Sequence, residues 1–146
     1  MRKAGPWEYR LQDLPELASR WWQHAGKARV FALHGPMGVG KTTLVQALCK
    51  ALGVWEMVHS PTFSLVNEYR LPSGEPVYHL DLYRIRDEEE ALSAGMEDCL
   101  YSGSYCFVEW PEKATQIMPV DAVHAWIEAM GPETRLVKLE FPSRIA

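Results

Sequence analysis

The chain has 146 residues, of which 47% are hydrophobic and 23% are charged, and its formal net charge at pH 7 is −4. This length and composition predict one globular domain over 1–146, large enough to bury a core without disulfide bonds. The acidic balance, with lysine and arginine spread along the chain, argues against tight unaided binding to nucleic acid.

The first predicted element is a helix over 13–24, where Leu14, Leu17 and Trp21 recur at helical spacing. Asp13 is suited to the N-cap of this helix, and Gly26 is expected to end it. For Trp21 and its neighbour Trp22 the two alternatives are core packing and a stacking platform, and core packing is favoured.

A short apolar strand over 29–33 leads into the glycine-rich stretch HGPMGVGKTTL, and a helix is predicted over 41–52. Four positions match the pattern G-x-x-x-x-G-K-[ST]: Gly35, Gly40, Lys41 and Thr42. This pattern binds nucleotide phosphates when a strand precedes it and a helix follows it, and both are predicted here. The alternative, a chance match in a turn, is disfavoured by that context.

The rest of the chain is mostly predicted strand. The remaining elements, in chain order, are strands over 63–69 and 77–83, a helix over 87–94 that stops near Gly95, a strand over 105–108, one or two helical turns over 111–117, and strands over 122–129 and 134–141. The last two strands are expected to form an antiparallel hairpin. The predicted fold class is α/β: a P-loop NTPase-like single domain whose central sheet is mostly parallel, with antiparallel edge strands and flanking helices.

The glycine-rich loop is suited to a triphosphate for physical reasons. Its glycines let backbone N–H groups converge on phosphates, and the following helix directs the positive end of its dipole to the same place. Lys41 is expected to reach the β- and γ-phosphates, and the Thr42 hydroxyl to ligate Mg²⁺. The predicted nucleotide-binding residues of the loop are Gly35, Gly38, Val39, Gly40, Lys41, Thr42 and, toward the α-phosphate, Thr43.

Two carboxylates follow apolar strands and are candidates for the acidic side of this site. Asp81 comes after VYHL and Glu109 comes after YCFV. Strand ends of this kind border the ligand crevice of open α/β sheets. One carboxylate would hold Mg²⁺ with Thr42, and the other would orient the attacking water. The residues alone leave these two roles exchangeable, and a partly solvated strand-end acid is the alternative for each. His79 and Asp81 could also form a metal pair, although packing or hydrogen bonding is favoured for His79.

Several classes of protein are disfavoured by what the sequence lacks. It contains no D-x-x-G and no N-K-x-D, the motifs of a Ras-like GTPase, so ATP is favoured as the nucleotide. The odd set of Cys49, Cys99 and Cys106 has no C-x-x-C spacing, which predicts buried reduced thiols. No window approaches ~20 apolar residues, so we predict a cytoplasmic protein with no contact to a membrane.

Four segments, in this order, resemble the TsaE (YjeE) family, the small ATPases of bacterial tRNA threonylcarbamoyladenosine (t6A) synthesis. They are HGPMGVGKTT, HSPTFSLVNEY, YHLDLYR and CFVEWPEK, and together they span about residues 30–113. The segment GMEDCLYSG is also similar to a family pattern, G-x-E-[DE]-Y, with Cys99 in place of the usual aromatic residue. The chain has Pro36 and Met37 where many members have Asp-Leu.

The resemblance implies ATP and Mg²⁺ as cofactors and assigns roles around the loop. The segment SPTF, which begins at Ser60, is similar to the family's switch-like segment, with Thr62 sensing the γ-phosphate. Asp81 would support hydrolysis alongside Lys41, and Glu109 would hold Mg²⁺ with Thr42.

Two further residues receive roles from the resemblance. Trp110 would belong to the functional surface beside the site, although the sequence alone favours a place in the core. The segment TRLVKLEF is similar to the family's closing strand, where a basic residue lies near the adenine, and Arg135 is the candidate.

The resemblance also implies protein partners, TsaB and TsaD, with tRNA reached only indirectly through their complex. The chain would use ATP binding and hydrolysis to reset that pair between rounds of modification. One alternative is a small-molecule kinase, in which Arg84 and Arg86 clamp a transferring phosphate, although the sequence shows no convincing lid. Another is a non-hydrolysing ATP-gated adaptor, in which Asp81 and Glu109 are structural.

Overall fold

The structure is a computed structural model that describes residues 2–58, 65–93 and 95–142. The strands are β1 (Arg2–Tyr9), β2 (Val30–His34), β3 (Val66–Arg70), β4 (Pro76–Asp81), β5 (Tyr105–Glu109), β6 (Val123–Ala129) and β7 (Arg135–Phe141). The helices are α1 (Leu14–Ala25), α2 (Lys41–Ala51), α3 (Glu88–Ser93) and α4 (Met96–Leu100), with 3-10 segments at Leu11–Asp13 and Pro111–Ile117.

All seven strands form one mixed sheet in the order β1-β7-β6-β2-β5-β4-β3. The four central strands, β6, β2, β5 and β4, are mutually parallel, whereas β1, β7 and β3 pair in the antiparallel sense. The predicted fold class is therefore confirmed. The predicted hairpin of the last two strands is also confirmed, and its first strand additionally lies parallel to β2 at the centre of the sheet.

Apolar residues cover both faces of the sheet. On one face Trp21 of α1 and Leu44 of α2 pack with Phe31 and Phe107 of the central strands. On the other face, α3, α4 and the segment Pro111–Ile117 cover a second cluster around Val108. Because a strand covered on both faces buries nearly every residue, β2 and β5 are almost continuous apolar runs.

The aromatic residues of α1 belong to the core, as predicted. Trp21 is fully buried, and the ring of Trp22 makes edge contacts with Phe31 and Tyr105. Gly26 ends the helix with a positive φ of 59°. Asp13 stands at the N-cap position, but its carboxylate accepts the backbone N–H of Arg10 at 2.9 Å instead of capping α1.

Two elements of the structure, β1 and α4, were not predicted from the sequence. Strand β1 was not predicted, because Gly5 and Pro6 interrupt its alternation and its register against β7 shifts between Ala4 and Trp7. Helix α4 was also missed, since Gly95 with a φ of 78° separates it from α3. The strand predicted over 63–69 is described only from residue 65 onward.

The three cysteines are free thiols, and Cys49 and Cys106 are buried, as the sequence indicated, whereas Cys99 is only partly buried, contrary to the prediction. Burial raises the pKa of the Cys49 thiol to about 12. Within 2–58, 65–93 and 95–142, no helix has the length and apolar character needed to cross a membrane.

Candidate functional site

The glycine-rich loop connects the end of β2 to the start of α2. Gly38 and Gly40 have φ angles of 78° and 103°, and an added Cβ at either would meet no atom within 4 Å. Glycine is therefore favoured at these two positions by the positive φ angles, and the space beside the loop is open. Gly35 is required by packing, because a Cβ there would lie 2.8 Å from Val39 Cγ1 and 3.0 Å from the Ile127 carbonyl oxygen.

Helix α2 begins at the loop, and its first turn is directed toward that open space. Gly40 is the N-cap residue and brings no side chain to cap the helix. The first N–H groups of a helix have no intrahelical acceptor, and the positive end of the dipole lies among them. The loop and the helix terminus together are suited to an anionic ligand such as a phosphate.

Lys41 is the first residue of α2 and is only 5% exposed. Its Nζ donates to the Gly35 carbonyl oxygen at 2.6 Å and lies 3.3 Å from the centre of the Trp110 ring. Burial lowers the pKa of Lys41, and nearby carboxylates, Glu109 first among them, oppose that effect. The structure thus places a buried cation directly against the loop.

Trp110 follows the last residue of β5 in an unusual backbone conformation. Its φ is 59°, and among the described residues it alone has a positive φ without being a glycine. Such a conformation costs of order 1 kcal/mol or more and persists only where the surroundings impose it. The indole packs edge-on against Tyr83, with 5.1 Å between ring centres. The sequence alone assigned this residue to the core, and Trp110 does pack against the cluster around Val108, but it is only half-buried and lies beside Lys41.

A hydrogen bond joins the loop helix to the carboxylate at the end of β5. The Thr42 hydroxyl donates to Glu109 Oε2 at 2.8 Å across a separation of 67 residues. Glu109 is 4% exposed, and His79 Nε2 lies 2.7 Å from the same oxygen. A buried carboxylate needs such donors, because a buried polar group without a hydrogen-bond partner costs about 1–3 kcal/mol of stability, and a charged group costs more.

Asp81 ends β4 directly beside Glu109, its register partner on β5. It is half-buried, and its Oδ1 accepts the Tyr83 backbone N–H at 3.0 Å. The structure brings the two predicted carboxylates together at the carboxyl edge of the parallel strands, next to Thr42.

The donors at this edge are suited to Mg²⁺. They are a threonine hydroxyl and carboxylate oxygens, and Mg²⁺ binds hard oxygen ligands through one or two protein groups together with substrate phosphates. The described residues contain no group of three His, Cys, Asp or Glu side chains that could hold a metal. His79 Nε2 is hydrogen-bonded to Glu109, which is the role that the sequence favoured for His79 over a metal pair with Asp81.

A cleft of about 350 Å³ opens beside the loop. Its walls are formed by Tyr9, Arg10, Leu11, Gln12, Leu14, Gly38, Val39, Gly40, Thr43, Pro132, Glu133 and Arg135. Arg135 donates from Nε to the Val39 carbonyl oxygen at 2.9 Å and from Nη1 to the Gly131 carbonyl oxygen at 3.0 Å. The structure therefore brings Arg135 and Thr43 to one cavity, while the contact of Arg135 with an adenine stays a prediction.

Sequence reasoning missed one whole wall of this cleft. Tyr9 ends β1, and Arg10, Leu11 and Gln12 lie between β1 and α1, and no motif marks these four residues. Burial raises the pKa of Tyr9 to about 12, so its hydroxyl remains protonated at neutral pH. The predicted switch-like residues Ser60 and Thr62 lie outside the described residues.

The chain is similar to proteins of one family over most of its length. The model of the family described as Threonylcarbamoyl adenosine biosynthesis protein TsaE matches residues 9–137. The chain is 42% identical over 96 residues to the tRNA threonylcarbamoyladenosine biosynthesis protein TsaE of Haemophilus influenzae, covering 66% of this chain and 60% of that protein. It is 34% identical over 106 residues to the protein of the same name from Bacillus subtilis, covering 73% and 65%. The chain thus spans less than two thirds of these two relatives.

Two further comparisons agree with this result. The Aquifex aeolicus protein with the same name is 46% identical over 104 residues, a match that covers 70% of this chain and 72% of that protein. The crystal structure of Bacillus subtilis YdiB superposes with a TM-score of 0.76, at 23% identity, over 99% of this chain and 89% of that one. At that identity the superposition shows a shared fold.

Proposed function

Because the chain belongs to the TsaE family, we propose that it is the Mg²⁺-dependent ATPase component of the bacterial tRNA t6A modification machinery. The observation that carries the ATPase part is the Thr42–Glu109 hydrogen bond beside the glycine-rich loop. It joins a hydroxyl and a carboxylate, the oxygen donors of a phosphate-bound Mg²⁺, at the helix N-terminus where phosphates bind.

In this proposal the triphosphate of ATP lies along the loop and the first turn of α2. The open space beside Gly38 and Gly40 accommodates the phosphates, and the neighbouring residues present backbone N–H groups to them. Lys41 exchanges its bond to the Gly35 carbonyl oxygen for the β- and γ-phosphates. The base enters the cleft of about 350 Å³ that Arg135 lines.

Hydrolysis requires the γ-phosphoryl group to be polarised and a water to be aligned with it. Bound Mg²⁺ would supply charge neutralisation of the β- and γ-phosphate oxygens. Glu109 and Thr42 would hold that ion, and Asp81, at the neighbouring strand end, would orient the attacking water. Thr62 would sense the γ-phosphate, so the switch-like segment SPTF, to which it belongs, would respond when the γ-phosphate is lost.

The proposed partners are TsaB and TsaD, which carry out the threonylcarbamoyl chemistry. The chain would bind that pair and use ATP binding and hydrolysis to reset it for another round, while tRNA is contacted only through the complex. A net charge of −4 supports this indirect relation to tRNA, because direct binding is dominated by contacts of cationic residues with phosphates. A device of this kind needs two states with different partner affinities.

The test measures Mg²⁺-dependent ATP hydrolysis by the chain alone and after addition of TsaB–TsaD. We expect low basal hydrolysis, strong stimulation by the pair, and loss of both in Lys41→Ala. Lys50→Ala is the matched control, because Lys50 is an exposed lysine on the same helix, about two and a half turns beyond Lys41 by the α-helical repeat. Equal hydrolysis with and without the pair, or transfer of phosphate to a metabolite, would contradict the proposal.

A further inference from the structure

A chain of hydrogen-bonded side chains leads from the loop helix across three strands to the edge of the sheet. It starts with Thr42 and Glu109 and continues to His79, whose Nε2 lies 2.7 Å from Glu109 Oε2. His79 Nδ1 is 3.4 Å from the Tyr69 hydroxyl, which accepts the Asn67 side-chain amide at 3.2 Å. The proposed function uses only the first two of these five residues.

The chemistry of the groups determines the direction of the bonds. An ionised carboxylate only accepts hydrogen bonds, so His79 Nε2 donates to Glu109. In the neutral ring Nδ1 then accepts, and its donor is the Tyr69 hydroxyl. Each ring nitrogen of His79 has a partner, and the side chain is 0% exposed. The imidazole is therefore held in one orientation on β4.

Both donors converge on the same oxygen of Glu109. The Thr42 hydroxyl and His79 Nε2 contact Oε2, one from the loop helix and the other from the neighbouring strand. Two donors on one oxygen restrict rotation of the carboxylate about its last side-chain torsion, which is otherwise broad. When the Thr42 hydroxyl turns to another ligand, the hydrogen bond from His79 still holds the Glu109 carboxylate in its orientation.

We propose that His79 is a positioning residue, which holds the Glu109 carboxylate in the orientation that Mg²⁺ binding requires, with Tyr69 holding the imidazole in turn. The inference rests on the proposed function, since it concerns the Mg²⁺ that accompanies ATP there. Groups that orient the ligands of a metal commonly change its affinity by about 10–100-fold when removed.

The test measures the dissociation constant of mant-ATP in excess EDTA and in excess MgCl₂, and takes their ratio as the gain due to Mg²⁺. We expect His79→Met to lower that gain about tenfold or more, with affinity in EDTA nearly unchanged. His79→Gln, which restores an N–H donor to Glu109, should keep the gain within about threefold of the wild type. His24→Met on α1 is the control for loss of a histidine elsewhere.

Two results would overturn the inference. One is a His79→Met variant in which the Mg²⁺-dependent gain in mant-ATP affinity equals that of the wild type. The other is an equal loss of affinity in EDTA and in MgCl₂ for both His79 variants, which would show a structural role alone. A wild-type chain whose mant-ATP affinity does not respond to Mg²⁺ would overturn the proposed function as well, so the two failures are distinguishable.

If His79→Met does not fold, Tyr69→Phe and the wild-type protein carry the test. Tyr69→Phe removes the donor to Nδ1 while keeping the aromatic ring, and we expect a smaller loss of the Mg²⁺ gain, about threefold. The imidazole ¹⁵N shifts of the wild type should report the Nε2–H tautomer of His79. An unchanged gain in Tyr69→Phe, or an Nδ1–H tautomer in the wild type, would overturn the inference.

Discussion

The ammonium group of Lys41 lies 3.3 Å from the centre of the Trp110 ring while it donates to the Gly35 carbonyl oxygen at 2.6 Å. The side chain that the proposed function assigns to the phosphates is thus held between an aromatic face and the loop. A cation over an indole is stabilised by about 0.5–2 kcal/mol. In the proposed function a phosphate would compete with this contact, and nucleotide binding would then change the environment of Trp110.

We expect ATP binding to change the intrinsic fluorescence of Trp110, because Lys41 leaves the indole for the phosphates. The chain has six tryptophans, so the signal is assigned by substitution. Trp110→Phe should remove most of the change on titration with MgATP. Trp126→Phe, which replaces a partly exposed tryptophan on β6, should retain it. A change that persists in Trp110→Phe would contradict the expected movement.

Gly38→Ala should weaken ATP binding at least about tenfold, because a methyl group would stand in the space where the phosphates are proposed to lie. Gly74→Ala is the matched control. Gly74 also has a positive φ, 93°, and an added Cβ there also meets no atom within 4 Å, but it lies in the turn between β3 and β4. Both variants should lose about 1–3 kcal/mol of unfolding free energy from backbone strain.

The comparison is made by equilibrium binding of mant-ATP and by urea denaturation of both glycine variants. Equal ATP affinity in Gly38→Ala and Gly74→Ala would show that the loop does not hold the phosphates. A loss of stability confined to Gly38→Ala would show that the two turns differ in strain.

Replacing each carboxylate by its amide should distinguish the roles of Glu109 and Asp81. Glu109→Gln turns an N–H₂ group or a weaker acceptor toward the donors Thr42 and His79, so we expect the Mg²⁺-dependent gain in ATP affinity to fall about tenfold or more. Asp81→Asn can still accept the Tyr83 N–H, so MgATP binding should stay within about threefold of the wild type.

Hydrolysis in the presence of TsaB–TsaD should fall about a hundredfold or more in Asp81→Asn, because the attacking water loses its acceptor. The measurement pairs steady-state phosphate release with mant-ATP binding for each variant. The opposite pattern, with the Mg²⁺ gain lost in Asp81→Asn and retained in Glu109→Gln, would show that the two roles are exchanged.

The unfolding free energy should depend on His34 between pH 7 and about pH 4. Burial, and to a smaller extent the neighbouring His124, lowers the pKa of His34 from 6.5 to about 4. Lys41 acts in the same direction, whereas Glu112 and Glu140 act against it. Because the unfolded chain takes up this proton first, the stabilisation is complete above pH 6.5 and is lost as the pH falls through about 4.

Urea denaturation at several pH values tests this dependence. His34→Gln should lose less stability than the wild type when the pH is lowered from 7 to about 4, since it has no imidazole to protonate. His24→Gln, which removes a histidine from α1, should follow the wild type. Parallel pH dependences for the wild type and His34→Gln would contradict the prediction.

The segment from β2 through α2 was predicted to within one residue at each boundary. Its determinants are local: an apolar run, a glycine motif and a helical period lie next to one another in the chain. Strand β1 was missed because its stability depends on β7, more than a hundred residues away. The alternation within β1 is too weak to predict a strand without that partner.

The sequence by itself determined the phosphate-binding motif, the two candidate carboxylates, the fold class and the resemblance to the TsaE family. These follow from residue identity, spacing and order, which are properties of the chain before it folds. Only the tertiary structure decided that His79 and Thr42 contact the same oxygen of Glu109 and that Lys41 lies over Trp110. The physical reason is that sheet order depends on burial between distant segments, so no local pattern specifies which strand ends become neighbours.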